Sequence, residues 1–414
     1  MGLINLTEPA SINNKGRFSA NAPLWMLAFR PFFLGGSLVA LFGISYWTLV
    51  LSGAVTWSLN LPPNVWHAHE MMFGFASVIA MGFLLTAAQT WTGVSSISGT
   101  PLIILSCFWL MARVLFFVQL PFNFALGEPV NLYLVIVFQG IWWLGGIMVL
   151  SKMLFKARNK QNYPFIGILT LLFIFNMLFL YLVIHQQSAL ALKLCDTSVF
   201  IFILLIGIVA GRVIPFFTAR GLKLTEQVKC PRLDRCILFL TMGGILSSIG
   251  ENLTSDKIIL SIFVGGLACL HLLRSFIWWN KGIVKVPLLW SLQLAYFTLG
   301  VGLIGITLSF YHSQIFYKDA LHMVTIGAIG MMIIAMMARV SLGHTGRALS
   351  PPYFISIAFV CIFIAAIARS ILPSIINANH AWILSGCLWS LGFFLFLFHY
   401  FPILINKRID GRIG

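Results

Sequence analysis

Charged residues are scarce in this chain, and acidic ones scarcer. Only 9% of the 414 residues carry a charge, and Asp and Glu together number 10. Hydrophobic residues make up 60% and the mean hydropathy is +0.97. A water-soluble domain is excluded, because too few groups are left to face water. Linkers rich in Ser, Gly or charge are also missing, so residues 1–414 read as one integral membrane domain with an N-terminal cytoplasmic segment of about 1–28. Alternating polar and apolar residues are absent from the apolar runs, which excludes a membrane barrel. The seven cysteines include no Cys-x-x-Cys-His, which excludes covalently attached c-type haem. Cys230 and Cys236 lack zinc-site spacing. The polar N-terminus shows no small-residue cleavage site, so no removable signal peptide is expected.

What the chain has instead is apolar runs of eighteen or more residues, each able to cross a bilayer as a helix. The runs fall at 31–51, 66–91, 101–120, 130–153, 163–185, 196–218, 235–251, 257–279, 287–310, 320–342, 353–371 and 380–405. The expected fold is all-α, a polytopic transmembrane bundle of about twelve spans. The net charge of +16 is a topology signal rather than a nucleic-acid footprint. Lys15, Arg17, Arg30, Lys152, Lys156, Arg158, Lys160, Arg220, Arg232, Arg274, Lys281, Arg347, Lys407 and others fall on one side, and only Lys193, Lys257 and Lys318 on the other. The positive-inside rule then puts both termini in the cytoplasm.

Two spans carry most of the information. Span two opens with Trp66-His67-Ala68-His69-Glu70-Met71, and span ten with His322-Met323-Val324. A Gly follows the aligned histidine by five residues in both, at Gly74 and Gly327, and a Thr-Gly pair closes both, at Thr92-Gly93 and Thr345-Gly346. The helices that follow carry Ala112-Arg113 and Ala368-Arg369. Span six holds the middle slot of a possible three-by-four-helix plan, with a weak match of its own.

Intramembrane imidazoles and arginines are costly and need partners. Bulky interfacial histidines are often satisfied by water and backbone alone. The matched His69–His322 pair points further, to two imidazoles on opposite faces of a b-type haem. His67 lies about 200° around the helix from His69 and is left for a second metal, with His312, His380 or Glu70 at the same depth. The metal-ligating candidates are therefore His67, His69, His322 and Glu70. Arg113 and Arg369 have no obvious acidic mate in neighbouring spans, so haem propionates, helix-end carbonyls or headgroups are the candidate partners. Glu70 reads as an acceptor for an imidazole N–H or as a first-turn carboxylate. The tryptophans near span ends, Trp142 and Trp143 among them, read mainly as an aromatic belt.

At these residues the chain resembles the NnrS family of bacterial membrane proteins. The matching stretches are Phe29-Arg30-Pro31-Phe32-Phe33, the His-Ala-His-Glu block, Trp91-Thr92-Gly93, Gly211-Arg212-Val213-Ile214-Pro215-Phe216-Phe217-Thr218, and His322 with His344-Thr345-Gly346-Arg347. Gln89-Thr90 stands where members usually have Asn or Pro. The resemblance implies about twelve spans, bound haem and copper, and a role in nitric oxide and nitrosative stress tolerance. It leaves the molecular activity open. By analogy only, haem-copper oxidases also have twelve spans and haem histidines on spans two and ten. Here spans six and seven carry no His, so the three-His copper site is absent and oxygen reduction is not expected. The expected partners are lipid and nitric oxide or a related small ligand, with a respiratory electron donor as a candidate and no nucleic acid. The rival reading is a polytopic transporter of a metal, haem or small solute. A third, an assembly factor for respiratory enzymes, leaves no mark in the sequence.

Overall fold

A computed structural model describes residues 20–59, 61–118, 130–254 and 257–411. The first residues of the polar N-terminal segment, with Lys15 and Arg17, lie outside the described residues, as does Arg412. So do 119–120, the expected end of span three.

Twelve helices are long and apolar enough to cross a membrane, and no strand occurs among the described residues. They are α1 (Phe29–Leu51), α2 (Pro63–Thr92), α3 (Thr100–Phe117), α4 (Val130–Lys156), α5 (Lys160–Ile184), α6 (Ser188–Gly221), α7 (Pro231–Glu251), α8 (Ile258–Ile277), α9 (Pro287–Ser309), α10 (Tyr317–His344), α11 (Tyr353–Ser374) and α12 (Ala378–Ile405). Each corresponds to an expected span. The largest difference is at α6, which begins at Ser188 instead of 196. Lys193 reads as a loop residue and Asp196 as the first of the span, but the helix begins earlier than the apolar run. Asp196 there meets Lys318 at 2.7 Å, so its charge does not stop the helix.

Helices α2, α10 and α6 are the most enclosed, with 83%, 78% and 67% of their apolar windows buried. They form the centre. Helix α6 packs on both α2 and α10, and α2 reaches α10 at the His67 and His322 rings. The other helices wrap around them, and α12 closes against α1. Their outer faces present Phe42, Phe239, Leu246 and Phe398 outward, as a lipid-facing surface requires. The inner helices are four apart in order, which fits the three-by-four plan.

Arg30 is fully buried and donates to the carbonyls of Leu404 and Asn406, each at 2.8 Å. It thereby caps the C-terminal end of α12, where helix carbonyls lack partners and favour a cation. The same bonds put the start of α1 and the end of α12 on one face of the bundle.

The relation between α2 and α10 extends to their winding. Residues Glu70–Ala76 and Met323–Gly330 are π-helical, and each segment starts directly after the aligned histidine. Wide turns of this kind often mark functional sites. They misalign the ordinary carbonyl partners, and side-chain donors bond there. Trp109 Nε1 donates to Gly74 O at 3.1 Å, and Thr298 Oγ1 donates to Gly327 O at 2.6 Å. At the far ends, the Thr92 and Thr345 hydroxyls each donate to the carbonyl four residues back, both at 2.6 Å. Gly93 and Gly346 then turn the chain at φ of 66° and 73°, a conformation glycine adopts without strain. Helix α6 lacks a π segment, in keeping with its weak match.

The π segment of α10 leaves little room for α9. A Cβ at Gly302 would lie 2.9 Å from the Val324 backbone nitrogen. Gly302→Ala should therefore cost about 1–3 kcal/mol by overpacking. Gly167→Ala, where nothing lies within 4 Å, should be neutral or slightly stabilising. Thermal unfolding of the detergent-purified variants checks this; equal melting of the two would show that the α9–α10 approach is not constrained.

Candidate functional site

His69 closes the first α-helical turns of α2, and Glu70 opens the π segment. Both are buried, at 0% and 2% exposure. His69 Nδ1 lies 2.9 Å from Glu70 Oε1, and His69 Nε2 lies 2.9 Å from Asn176 Nδ2 of α5. Trp143 Nε1 of α4 donates to Asn176 Oδ1 at 3.2 Å. An indole N–H can only donate, so the Asn176 amide must turn its oxygen to Trp143 and its nitrogen to His69. His69 Nε2 is thus the acceptor, and Nδ1–H donates to the Glu70 carboxylate. The tautomer follows from partner chemistry alone. Phe73, Phe116 and Phe179 surround the ring at centroid distances of 5.6, 5.2 and 5.4 Å.

Arg113 of α3 continues the chain. Its Nε lies 2.8 Å from Glu70 Oε2, an ion pair not aligned for a hydrogen bond. Its two terminal nitrogens are buried and have no protein partner. Gly74, one π turn on, makes room for the carboxylate: a Cβ there would sit 2.8 Å from Glu70 Oε2.

A second constellation lies between α2 and α10. His67 and His322 present rings with centroids 6.3 Å apart and planes 13° from parallel. Trp47 of α1 also stacks on His67, at 4.8 Å and 17°. His322 Nδ1 donates to Lys318 O at 2.6 Å, which leaves the lone pair on Nε2. His67 Nδ1 is buried without a protein partner. Arg369 of α11 pairs with Asp319, one helical turn before His322, and its guanidinium lies 4.9 Å from the Trp382 ring. Its charge is within electrostatic reach of both imidazoles.

Three expectations need correction. His69 was expected to face His322, with His67 turned elsewhere. The structure brings His67 to His322 and turns His69 towards α3 and α5, because its two nitrogens find a carboxylate and an amide there. The 200° separation of the two histidines holds; the one that meets α10 is the other one. Next, Arg113 and Arg369 do have acidic mates, Glu70 and Asp319. Asp319 was overlooked as part of a short loop, although it lies three residues before His322, on the same side of a helix. Finally, Trp142 and Trp143 are fully buried and do not belong to an interfacial belt.

His312 and His380 are exposed, and no group of three or more His, Cys, Asp or Glu side chains that could hold a metal occurs among the described residues. Glu70 points to His69 and Arg113, not to His67. His344 and His399 sit at the basic end, with His344 beside Phe29 and His399 beside Phe354. Of the side chains sequence reasoning missed, Asn176 had the clearest signal: it is the lone amide in the apolar stretch 163–184.

Compared with known families, residues 23–408 match the family described as NnrS protein. The chain belongs to the NnrS family. The match takes in both histidine helices, both arginines and all twelve spans, and membership makes this a membrane protein of a family associated with nitric oxide. No curated protein matches the chain.

Glu70 is what offsets the burial of Arg113, so removing its charge should be expensive. Glu70→Gln is expected to destabilise the protein by about 3–5 kcal/mol, the usual result of stranding one partner of a buried pair. The double variant Glu70→Leu/Arg113→Leu should recover most of that. Melting followed by circular dichroism tests both, and wild-type melting of Glu70→Gln would rule the pair out as the source of stability.

Proposed function

We propose that this NnrS-family protein is a haem b- and copper-binding protein of the bacterial inner membrane, acting in nitric oxide and nitrosative stress tolerance, with haem held between α2 and α10 at the face opposite the basic one. The observation that supports this most is the His67–His322 pair. Their ring centroids lie 6.3 Å apart, so α2 and α10 present both imidazoles to one place. The donor set also fits, since both rings keep nitrogens that no protein group uses.

His67 and His322 would hold the iron. Trp47 would fix the plane of His67, and the Lys318 carbonyl would orient His322 and raise its basicity as a ligand. The terminal nitrogens of Arg113 would suit an anionic group such as a haem propionate. When bound, the metal would supply a place for nitric oxide to coordinate. Nitric oxide enters lipid readily, so the protein needs no polar channel for it. Both termini would then be cytoplasmic, and the copper would load from the periplasmic side.

An absorption spectrum with metal analysis tests this. The purified protein should show a b-type haem spectrum, and pyridine should extract the haem without thioether adducts. His67→Ala and His322→Ala should each lose more than about half the haem or shift its spectrum, while His399→Ala should retain it. Loss of copper with haem kept would assign the pair to copper. Loss of haem in His69→Ala but not His67→Ala would mean that the Asn176 amide yields its place to the metal. A colourless, folded protein from haem-replete cells would reject the proposal in favour of a transporter.

A further inference from the structure

A recess of about 470 Å³ opens at the basic end of the bundle, between the loop that follows α10 and the last turns of α12. It lies about 30 Å along α10 from His322, at 1.5 Å per residue, and so is separate from both histidine constellations. Its lining is mixed. Leu342, Pro402 and Ile403 are apolar, Arg347, Ser350 and His399 carry hydrogen-bond donors, and no carboxylate takes part.

Arg347 is half-buried, and its guanidinium makes a single long hydrogen bond among the described residues, from Nη1 to Thr345 O at 3.4 Å. Asp410 lies close to Gly346, but Arg408 already holds both its oxygens, at 2.8 and 2.6 Å. Arg30 and His399 are both within electrostatic reach of Arg347, so positive charge gathers around the recess. The His399 ring packs on Phe354 and Tyr400 and makes no hydrogen bond among the described residues, which leaves its N–H available. The recess also adjoins a surface that meets lipid. Phe354 packs on Phe398 as well as on His399, and Phe398 packs on Phe394. Leu391, Phe394, Phe398 and Phe401 are 45%, 53%, 69% and 45% exposed. They follow one another at three or four residues, on one face of α12.

We infer that this recess binds the phosphate of an anionic phospholipid, with Arg347 and His399 donating to its oxygens and an acyl chain laid along the exposed Phe face of α12. Phosphate oxygens accept hydrogen bonds, and a guanidinium fork matches their geometry. Basic pockets between the ends of membrane helices suit such headgroups. A zwitterionic headgroup brings its own ammonium, which Arg347 and Arg30 would repel. A soluble phosphate would use the same donors but gain nothing from the Phe face. The inference concerns the opposite end of the bundle from the proposed haem and does not rest on it.

The test is native mass spectrometry of the purified full chain in detergent, titrated with dioleoyl phosphatidylglycerol and with dioleoyl phosphatidylcholine. The wild type should bind the first phosphatidylglycerol about fivefold more tightly, the usual worth of one basic residue at a membrane surface. Arg347→Gln should lower that affinity about fivefold and leave phosphatidylcholine within about twofold. Lys285→Gln removes the same charge at the basic end but outside the recess, and should change neither lipid by more than about twofold. Excess sn-glycerol 3-phosphate, a headgroup without chains, should not displace the bound lipid. Equal affinity for the two lipids in the wild type overturns the proposal without recourse to any variant. So does a preference that survives in Arg347→Gln. An equal loss in Lys285→Gln would reduce the preference to overall charge, and displacement by glycerol phosphate would make the recess a site for soluble phosphate; either result also overturns it.

Discussion

A backbone carbonyl that faces lipid without a donor costs several kcal/mol, and this constraint governs how α2 and α10 are built. Both are wound wide just after a histidine, where an α-helix would have kept its own carbonyls paired. The wide turns persist because neighbours reach in. Trp109 serves Gly74, Gln139 approaches Phe73 O at 3.4 Å, and Thr298 serves Gly327. These donors come from α3, α4 and α9, so the central helices cannot be moved without breaking bonds to the helices around them. The packing follows the same need. Gly302 lets α9 come close enough for Thr298 to reach its carbonyl.

The buried charges follow a related rule. Each histidine helix carries a carboxylate near its histidine, and each carboxylate meets an arginine from the helix that follows. The pairs are Glu70 with Arg113 and Asp319 with Arg369. In the first the acid comes one residue after the histidine, and in the second three residues before it. The arginine spacing shifts with it, by 253 residues for the histidines and 256 for the arginines. The repeat thus conserves an arrangement in space rather than a residue at a position. Two halves of one plan have put the same charge pair on different turns of the helix.

That drift explains what could and could not be read from the sequence. The spans, the shared face of the start of α1 and the end of α12, the four-helix spacing of the central helices and the Thr-Gly closures were legible, because each depends on local composition or on a fixed offset. The choice between His67 and His69 was not. Alignment pairs His69 with His322, and the matched π segments show that this alignment is right. Yet equivalent residues in related helices meet the same partner only if their surroundings are equivalent too. Around α2 they are not: Asn176 and Trp143 stand in the path of His69, with no counterpart beside His322, whose Nδ1 turns back to its own helix. Partner chemistry across α4 and α5, six and five helices removed from α10 in chain order, is invisible to periodicity.

The consequence is a division of labour between two adjacent imidazoles. Every nitrogen of His69 is used, and the direction of its hydrogen bonds is fixed from Trp143 through Asn176 to Glu70 and Arg113. With both ring nitrogens engaged, His69 is held firmly, and it holds the start of the π segment and the carboxylate of Glu70 in place. His67, half a helical circumference away, is left with unused nitrogens, and the stiffness of the helix it shares with His69 positions it. Trp47 on one side and His322 on the other then leave its ring little freedom. In the proposed site the histidine with most partners would be the support, and the one with fewest the ligand.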